Sequence, residues 1–289
     1  MESVPYAFCD AVCAVLKYLG ALVKLTSDNS NCGIWKAAAE ATEAGRVTID
    51  VDIDYKDGVW SYRICKTVKN QEIPITFQEL KAISRRCVRT SSVGIGYSFR
   101  NSQTSTVDEV REILKYSALF VNSTHMWISE HLKIPSDIIA EFLGPFCNSS
   151  LSDIYACSYS KATEDFLKTQ LQSGGLKIIE IRGHGWSDDL RVAIERVALA
   201  KPFEDVHVAD SLVFGLKFLK KFFQKSRRHE KFSFTARFRV QFRKLRELKK
   251  EMQIEMDDDT IVWRETGGAK FQIMRRRDGR LWIKLSCNN

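Results

Sequence analysis

Leu151-Ser-Asp-Ile-Tyr-Ala156, Leu176-Lys-Ile-Ile-Glu-Ile181 and Phe203-Glu-Asp-Val-His-Val208 decide how this chain folds. Each stretch carries apolar residues at its first, fourth and sixth positions, and the three starts lie 25 and 27 residues apart. A fourth apolar segment, Lys231 to Phe238, begins 28 residues after the third. Spacing of this kind marks helix–strand units that bury a common core and leave a repeated surface outside it. The expected fold class is therefore α/β: helix–strand repeats in a short stack, with an N-terminal helical module and a β-hairpin ahead of them.

If positions one, four and six point inward, strand alternation turns the intervening residues to the open side. Asp153 and Tyr155 come first, then Ile178, Glu180 and Arg182, then Asp205 and His207, then Ser233, Thr235 and Arg237. Neighbouring strands about 4.8 Å apart would align them as a ladder. Aromatic, acidic and basic groups in one ladder suit recognition of a protein or peptide. The plainer alternative is that another segment covers this face and the ladder makes only cross-strand contacts.

Working outward from the repeats, a helix over Ala162–Gln172 ends at Ser173-Gly-Gly175, and one over Asp188–Leu199 is stopped by Pro202. A third helix, Ser211–Lys225, places Leu212, Leu216, Leu219 and Phe223 on one face, with Phe218 and Phe222 beside them. Its lysines fall largely outside that face, which fits a core-packing helix better than a membrane-surface one. A charged helix is expected near Val240–Met252. Ile261–Arg264, Phe271–Arg277 and Leu281–Leu285 then read as a capping β-hairpin, as the end of a stack requires.

Upstream, Val47, Ile49, Val51 and Ile53 alternate with polar residues, and Lys56-Asp-Gly58 turns the chain into Val59–Ile64. That pattern is a β-hairpin. Thr76 with Glu79, and Thr106 with Glu109, each fit a capping box ahead of a helix. Strands are expected over Val88–Phe99 and Ala118–Val121, with Asn122-Ser-Thr a loop and a helix over Ser136–Phe142 ending near Gly144-Pro145. The first 45 residues read as helices, through Phe8, Val12, Val15 and Leu19 and then Ile34–Ala41. Three parts follow: a helical module at 1–45, the hairpin and a connecting α/β segment at 46–105, and the helix–strand repeats with their cap at 106–289.

The chain's 289 residues suffice for a substantial core. No apolar run approaches the roughly 20 residues that span a bilayer, and the N-terminus lacks a secretory pattern, so an intracellular place, cytoplasmic or nuclear, is expected. Eight dispersed cysteines form no Cys-x-x-Cys and read as buried reduced thiols, although Cys9 and Cys13 share a helix face. Charge is uneven. Residues 216–289 hold 21 basic and 9 acidic residues, a net +12, against −4 over 1–215. That basic region is the ground for an alternative reading, a nucleic-acid-binding protein.

Signals for chemistry are weak. Glu180, Asp205, His207 and Asp210 bring acids near a histidine, but Ser211 sits in no nucleophile elbow. His184 lies in a Gly-His-Gly-Trp turn. Asp50, Asp52 and Asp54 share a strand face without a calcium-loop pattern, and read as the solvated side of the hairpin. The expectation is a non-enzymatic protein with no metal and no cofactor.

Ser3-Val-Pro-Tyr-Ala-Phe-Cys-Asp-Ala-Val12 resembles the start of nematode-expanded F-box-related proteins, with Cys32-Gly-Ile-Trp35 resembling their Cys-x-x-Trp element. Phe166–Leu176 and Ile261-Val-Trp-Arg264 resemble the C-terminal region associated with those families, and the repeats resemble leucine-rich repeats. The resemblance implies a substrate adaptor of a ubiquitin ligase. Pro5, Phe8, Val12, Leu16 and Trp35 would bind a Skp-type linker, and the repeat face would hold a target protein. An interaction protein of the same fold without a ligase partner is the remaining reading.

Overall fold

The computed structural model describes residues 8–9, 12–13, 33–68, 71–85, 87–96, 102–129, 134–157, 160–200, 203–208, 212–226, 233–239, 253–256, 260–264, 269–275 and 281–287. Pro5, Leu16, the expected helix over 240–252 and Asp210 lie outside them. Among the described residues there are seven α-helices and one mixed sheet, so the protein is α/β. None of these helices is long and apolar enough to cross a membrane.

Helix α1 spans Gly33–Gly45. The hairpin follows as β1 (Val47–Lys56) and β2 (Val59–Val68), in register from Lys56↔Val59 to Thr48↔Thr67. Its two-residue loop places Asp57 at φ 52 and Gly58 at φ 84, the left-handed pair that matches the strand twist. Edge strand β3 (Gln71–Ile75) and short β5 (Gln103–Ser105) both pair with β2. The Thr76–Glu79 capping box opens helix α2 (Phe77–Ala82) as expected.

The parallel centre is β4 (Val88–Ile95), β6 (Val121–Ile128), β7 (Leu151–Ala156), β8 (Ile178–Ile181) and β9 (Asp205–Val208), with β1 beside β4. Between them run α3 (Val107–Ala118), α4 (Ser136–Leu143), α5 (Lys161–Ser173) and α6 (Asp188–Ala200), each helix packed on the next. Strand β10 (Val213–Gly215) and helix α7 (Leu216–Ser226) lead to β11 (Ser233–Arg239), which lies parallel to β9. Strands β12 (Gln253–Met256), β13 (Thr260–Arg264), β14 (Ala269–Arg275) and β15 (Leu281–Cys287) form an antiparallel run joined to β11 through β15.

One apolar core lies between the sheet and the helices. Ile49, Val51, Ile53, Val93, Met126, Ile154, Ile179, Val206 and Phe234 enter it from the strands, and Leu114, Phe142, Leu167, Ile194 and Phe218 from the helices. Sheet and core run without a break across residues 105 and 106. All the helices from α2 to α7 feed this one core, so they occupy one face of the sheet.

Four expectations are corrected. Helix α3 continues through Ala118, so the strand begins at Val121 and takes in Asn122-Ser-Thr. The helix runs on because Ser117 and Leu114 stay buried against the core, and Thr90 donates to the Ser117 carbonyl. The capping box at Thr106 is only half formed. Thr106 accepts from the Glu109 amide, while the Glu109 carboxylate turns to the Ser105 hydroxyl. Helix α7 starts at Leu216 rather than Ser211, because Val213–Gly215 pair with Arg237–Arg239. Finally, the aspartates of β1 are not simply a solvated row: Asp52 is only 8 % exposed and Asp50 is held by two serines.

Candidate functional site

The face opposite the helices carries two continuous rows of mostly polar residues. In one, Asp50, Ser92, His125, Asp153, Ile178, Asp205 and Ser233 stand opposite one another across β1, β4, β6, β7, β8, β9 and β11. In the other, Asp52, Gly94, Trp127, Tyr155, Glu180, His207 and Thr235 do the same. Asp153, Tyr155, Ile178, Glu180, Asp205 and His207 thus come together in the ladder their spacing implies. Arg237 lies one step further along β11, opposite Trp282.

Two residues at the centre escaped the sequence reading. Trp127 stacks flat on Tyr155, with ring centroids 3.7 Å apart and planes 5° from parallel, and the indole is 37 % exposed. His125 pairs through Nδ1 with the Asp153 carboxylate, its own side chain 47 % exposed and that of Asp153 buried. The signal that would have found both is Thr124-His-Met-Trp-Ile128, an alternating stretch whose buried members are Thr124, Met126 and Ile128.

The geometry rests on small backbone irregularities. The pairing of β1 with β4 shifts between Ile49 and Asp50, so that Ser91 is an extra residue and both Ser91 and Ser92 donate to Asp50 Oδ1, Ser92 at 2.6 Å. A second shift, with Ser152 the extra residue, lets Asp153 stand opposite His125. Beneath them, Thr124 donates to the Thr90 carbonyl at 2.7 Å and Ser152 to that of Thr124 at 3.4 Å, which satisfies hydroxyls buried in the core layer.

The face has a negative field. From β1 to β9 the two rows hold five carboxylates, Asp50, Asp52, Asp153, Glu180 and Asp205, and the guanidiniums of Arg63 and Arg182 beside them are paired, Arg63 with Asp52 at 3.0 Å and Arg182 with Glu180. Arg237 and Lys284 stand at the β11–β15 end. Burial pushes the Asp52 carboxyl up to about 6, against the hydrogen bond and charge of Arg63. Burial also raises Asp153, opposed by His125. The Tyr155 phenol is held above its ordinary value by partial burial and then by Asp153, Glu180 and Asp205. Asp205 has no ion-pair partner among the described residues.

The N-terminal residues form a second, smaller cluster. Cys9 and Cys13 are buried against Ala38 and Ala39 of α1, with Trp35 packed alongside. Phe8, 56 % exposed, meets Trp35 edge-on at 6.1 Å, and Val12 is half-buried. Cys9 and Cys13 are therefore helix-packing residues, and among the described residues no group of His, Cys, Asp and Glu is placed to hold a metal ion. His184 is exposed in a turn whose flanking Gly183 and Gly185 both adopt positive φ. No protein-family model matches the chain, and neither does any curated protein or solved structure.

Proposed function

We propose that this protein is a non-enzymatic recognition protein that holds another protein on the open face of its sheet. The observation that carries this reading is the one-sided helix layer: it leaves Trp127 and Tyr155, stacked and partly exposed, inside a row of charged residues. Stacked aromatics present a large contact area that loses little conformational entropy on binding, and such residues dominate binding energy at protein interfaces. On this reading the helix–strand units stack in the manner of leucine-rich repeats, and their strands line the recognition surface.

The same proposal gives residues 1–45 the role of an F-box-like module for a Skp-type linker. Phe8 and Trp35 support it as an aromatic pair standing on a small helix cluster of its own, apart from the main core. The test is affinity purification of the intact chain beside two double variants, Pro5→Ala/Phe8→Ala and Trp127→Ala/Tyr155→Ala. Linker and cullin lost only in the first variant, with other partners lost only in the second, is the expected result. Absence of linker and cullin, where a known F-box control recovers both, overturns the ligase role and leaves the recognition face to stand or fall on the second variant.

A second reading draws on α7. Lys217, Lys220 and Lys221 are exposed while Phe218, Leu219 and Phe222 enter the core, so the basic residues form a ridge on the helix side. Nucleic acid bound there would show affinity falling steeply with salt, as phosphate contacts release counterions. Affinity that stays flat with salt excludes it.

A further inference from the structure

Resting on the recognition reading above, we infer that the open sheet face takes an extended polypeptide segment rich in arginine and lysine. Two independent observations meet here: a stacked aromatic platform and the sign of the charge around it. Trp127 and Tyr155 form a partly exposed aromatic surface, and aromatic surfaces favour arginine, which packs its aliphatic stem and guanidinium plane on them. In the rows from β1 to β9 five carboxylates surround the pair, and the neighbouring Arg63 and Arg182 each already serve one of them.

The carboxylates differ in what they can give. Asp153 is 4 % exposed and committed to His125, so it adds to the field rather than to contact. Glu180 and Asp205 are half-buried, on adjacent strands and in different rows. Asp205 therefore offers its carboxylate to a partner cation, and Glu180 can exchange the exposed Arg182 for one. Trp127 and Asp205 stand three strands apart, about 14 Å, which an extended chain covers in about four residues. A segment with an arginine over the aromatic pair and a second basic residue about four positions along would reach both.

A phosphate backbone is the wrong sign for this face. Nucleic acid brought near it would meet the same field that favours a basic segment. An acidic peptide fails for the same reason. The two readings of the molecule therefore separate in space, with cations expected on the sheet face between β1 and β9 and anions on the helix side at Lys217, Lys220 and Lys221.

The experiment is selection of a displayed random-peptide library on the full chain, followed by fluorescence polarisation of the enriched peptides. Four chains are compared: the natural one, Trp127→Ala, Glu180→Arg/Asp205→Arg, and Val192→Glu as a control at an exposed position of α6. Enriched peptides rich in arginine and lysine, bound about tenfold or more weakly by the sheet-face variant and equally by the control, are the expected result. Enrichment of acidic or uncharged peptides that also depend on Trp127 keeps the recognition face and overturns the basic class. Peptides indifferent to both Trp127→Ala and the charge reversal overturn the face itself. Circular dichroism of each variant separates lost binding from lost folding.

Discussion

The Asp52 carboxyl lies in the second polar row with Arg63 across the hairpin at 3.0 Å, and burial still wins over that partner, raising it to about 6. A folded-state pKa above the ordinary 3.8 means that the native state binds this proton more tightly than the unfolded chain does. Its contribution to stability is therefore fully present below about pH 3.8 and is lost as pH rises through about 6, a change of about 3 kcal/mol at most. Carboxyl-carbon NMR is expected to find the Asp52 midpoint near 6; a midpoint below 4.5 would mean that Arg63 dominates. Backbone strain is equally local. Gly174 and Gly183 have nearly the same φ, 80° and 78°, but an added Cβ meets nothing at Gly174 and sits 2.9 Å from the Cys157 carbonyl oxygen at Gly183. Alanine at 174 is expected to cost about 1 kcal/mol, the left-handed penalty alone. At 183 the cost should reach about 2–3 kcal/mol, since the β7–β8 connection must also shift. Denaturant midpoints of the two variants measure the difference, and equal losses would show that the connection yields freely.

At the scale of elements, strands β7, β8 and β9 were legible because apolar residues recur at positions one, four and six, an offset that strict alternation does not produce. In β4 and β7 the offset comes from an extra residue, Ser91 or Ser152, ahead of the alternating part. The same buried spacing continues upstream as Thr90, Val93 and Ile95, then as the half-buried Val121 with buried Thr124 and Met126. The strand at β4 was expected, but its shared spacing was not seen, and the strand at β6 was missed. Threonine stands where the later units have an apolar residue, and its burial depends on carbonyl partners from other elements, the Ser117 and Thr90 carbonyls, which no single-segment pattern contains. His125 and Trp127 were missed with the strand that carries them. Helix junctions were similarly half visible: the N-cap Ser160 follows the capping rule, but the tie between α5 and α6 runs through buried Glu164. Glu164 accepts from the Ser187 amide at 2.9 Å, the Ser187 hydroxyl at 2.6 Å and Lys168 at 2.7 Å. Burial raises its pKa, but these hydrogen bonds outweigh it and hold the carboxyl below the ordinary value. This tie therefore stabilises above the ordinary glutamate range and weakens as pH falls through the depressed value, the reverse of Asp52. Glu164→Ala is expected to cost about 3–5 kcal/mol at neutral pH, because Lys168 and Ser187 lose a buried partner. Chemical denaturation at pH 7 and pH 3 should show that cost shrinking in acid; a pH-independent cost would assign it to packing alone.

For the molecule as a whole, what joins the hairpin of β1 and β2 to the later units is one sheet over one core, and this assembly follows from pairings between distant segments. Val88 beside Val47, and Thr90 beside Val121, are contacts that local periodicity cannot announce. The same continuity makes a statement about cooperativity. Strands β4, β6, β7, β8 and β9 each have a neighbour on both sides, and their inward residues Val93, Met126, Ile154, Ile179 and Val206 are buried in the common core. Strand β3 lies at an edge, carries Pro74 and has four of its five residues exposed. Opening β3 breaks one ladder and uncovers little apolar surface, whereas opening β7 breaks two and uncovers core from both neighbouring units. Native-state hydrogen exchange is therefore expected to find the amides of Met126, Ile154 and Ile179 protected to nearly the global unfolding free energy, with Glu72 and Ile73 exchanging through local opening. The polar seam through Thr90, Thr124 and Ser152 is the place to look for a division. If the hydrophobic core dominates, β4 and β6 open together with β8 and β9; if they open at a lower free energy, the buried hydroxyls mark a boundary between two cooperative units. The single core favours the first outcome, because Trp60 of the hairpin packs at 5.2 Å against Phe142 of α4, and α4 packs on α5, carrying the contact past the seam on the helix side.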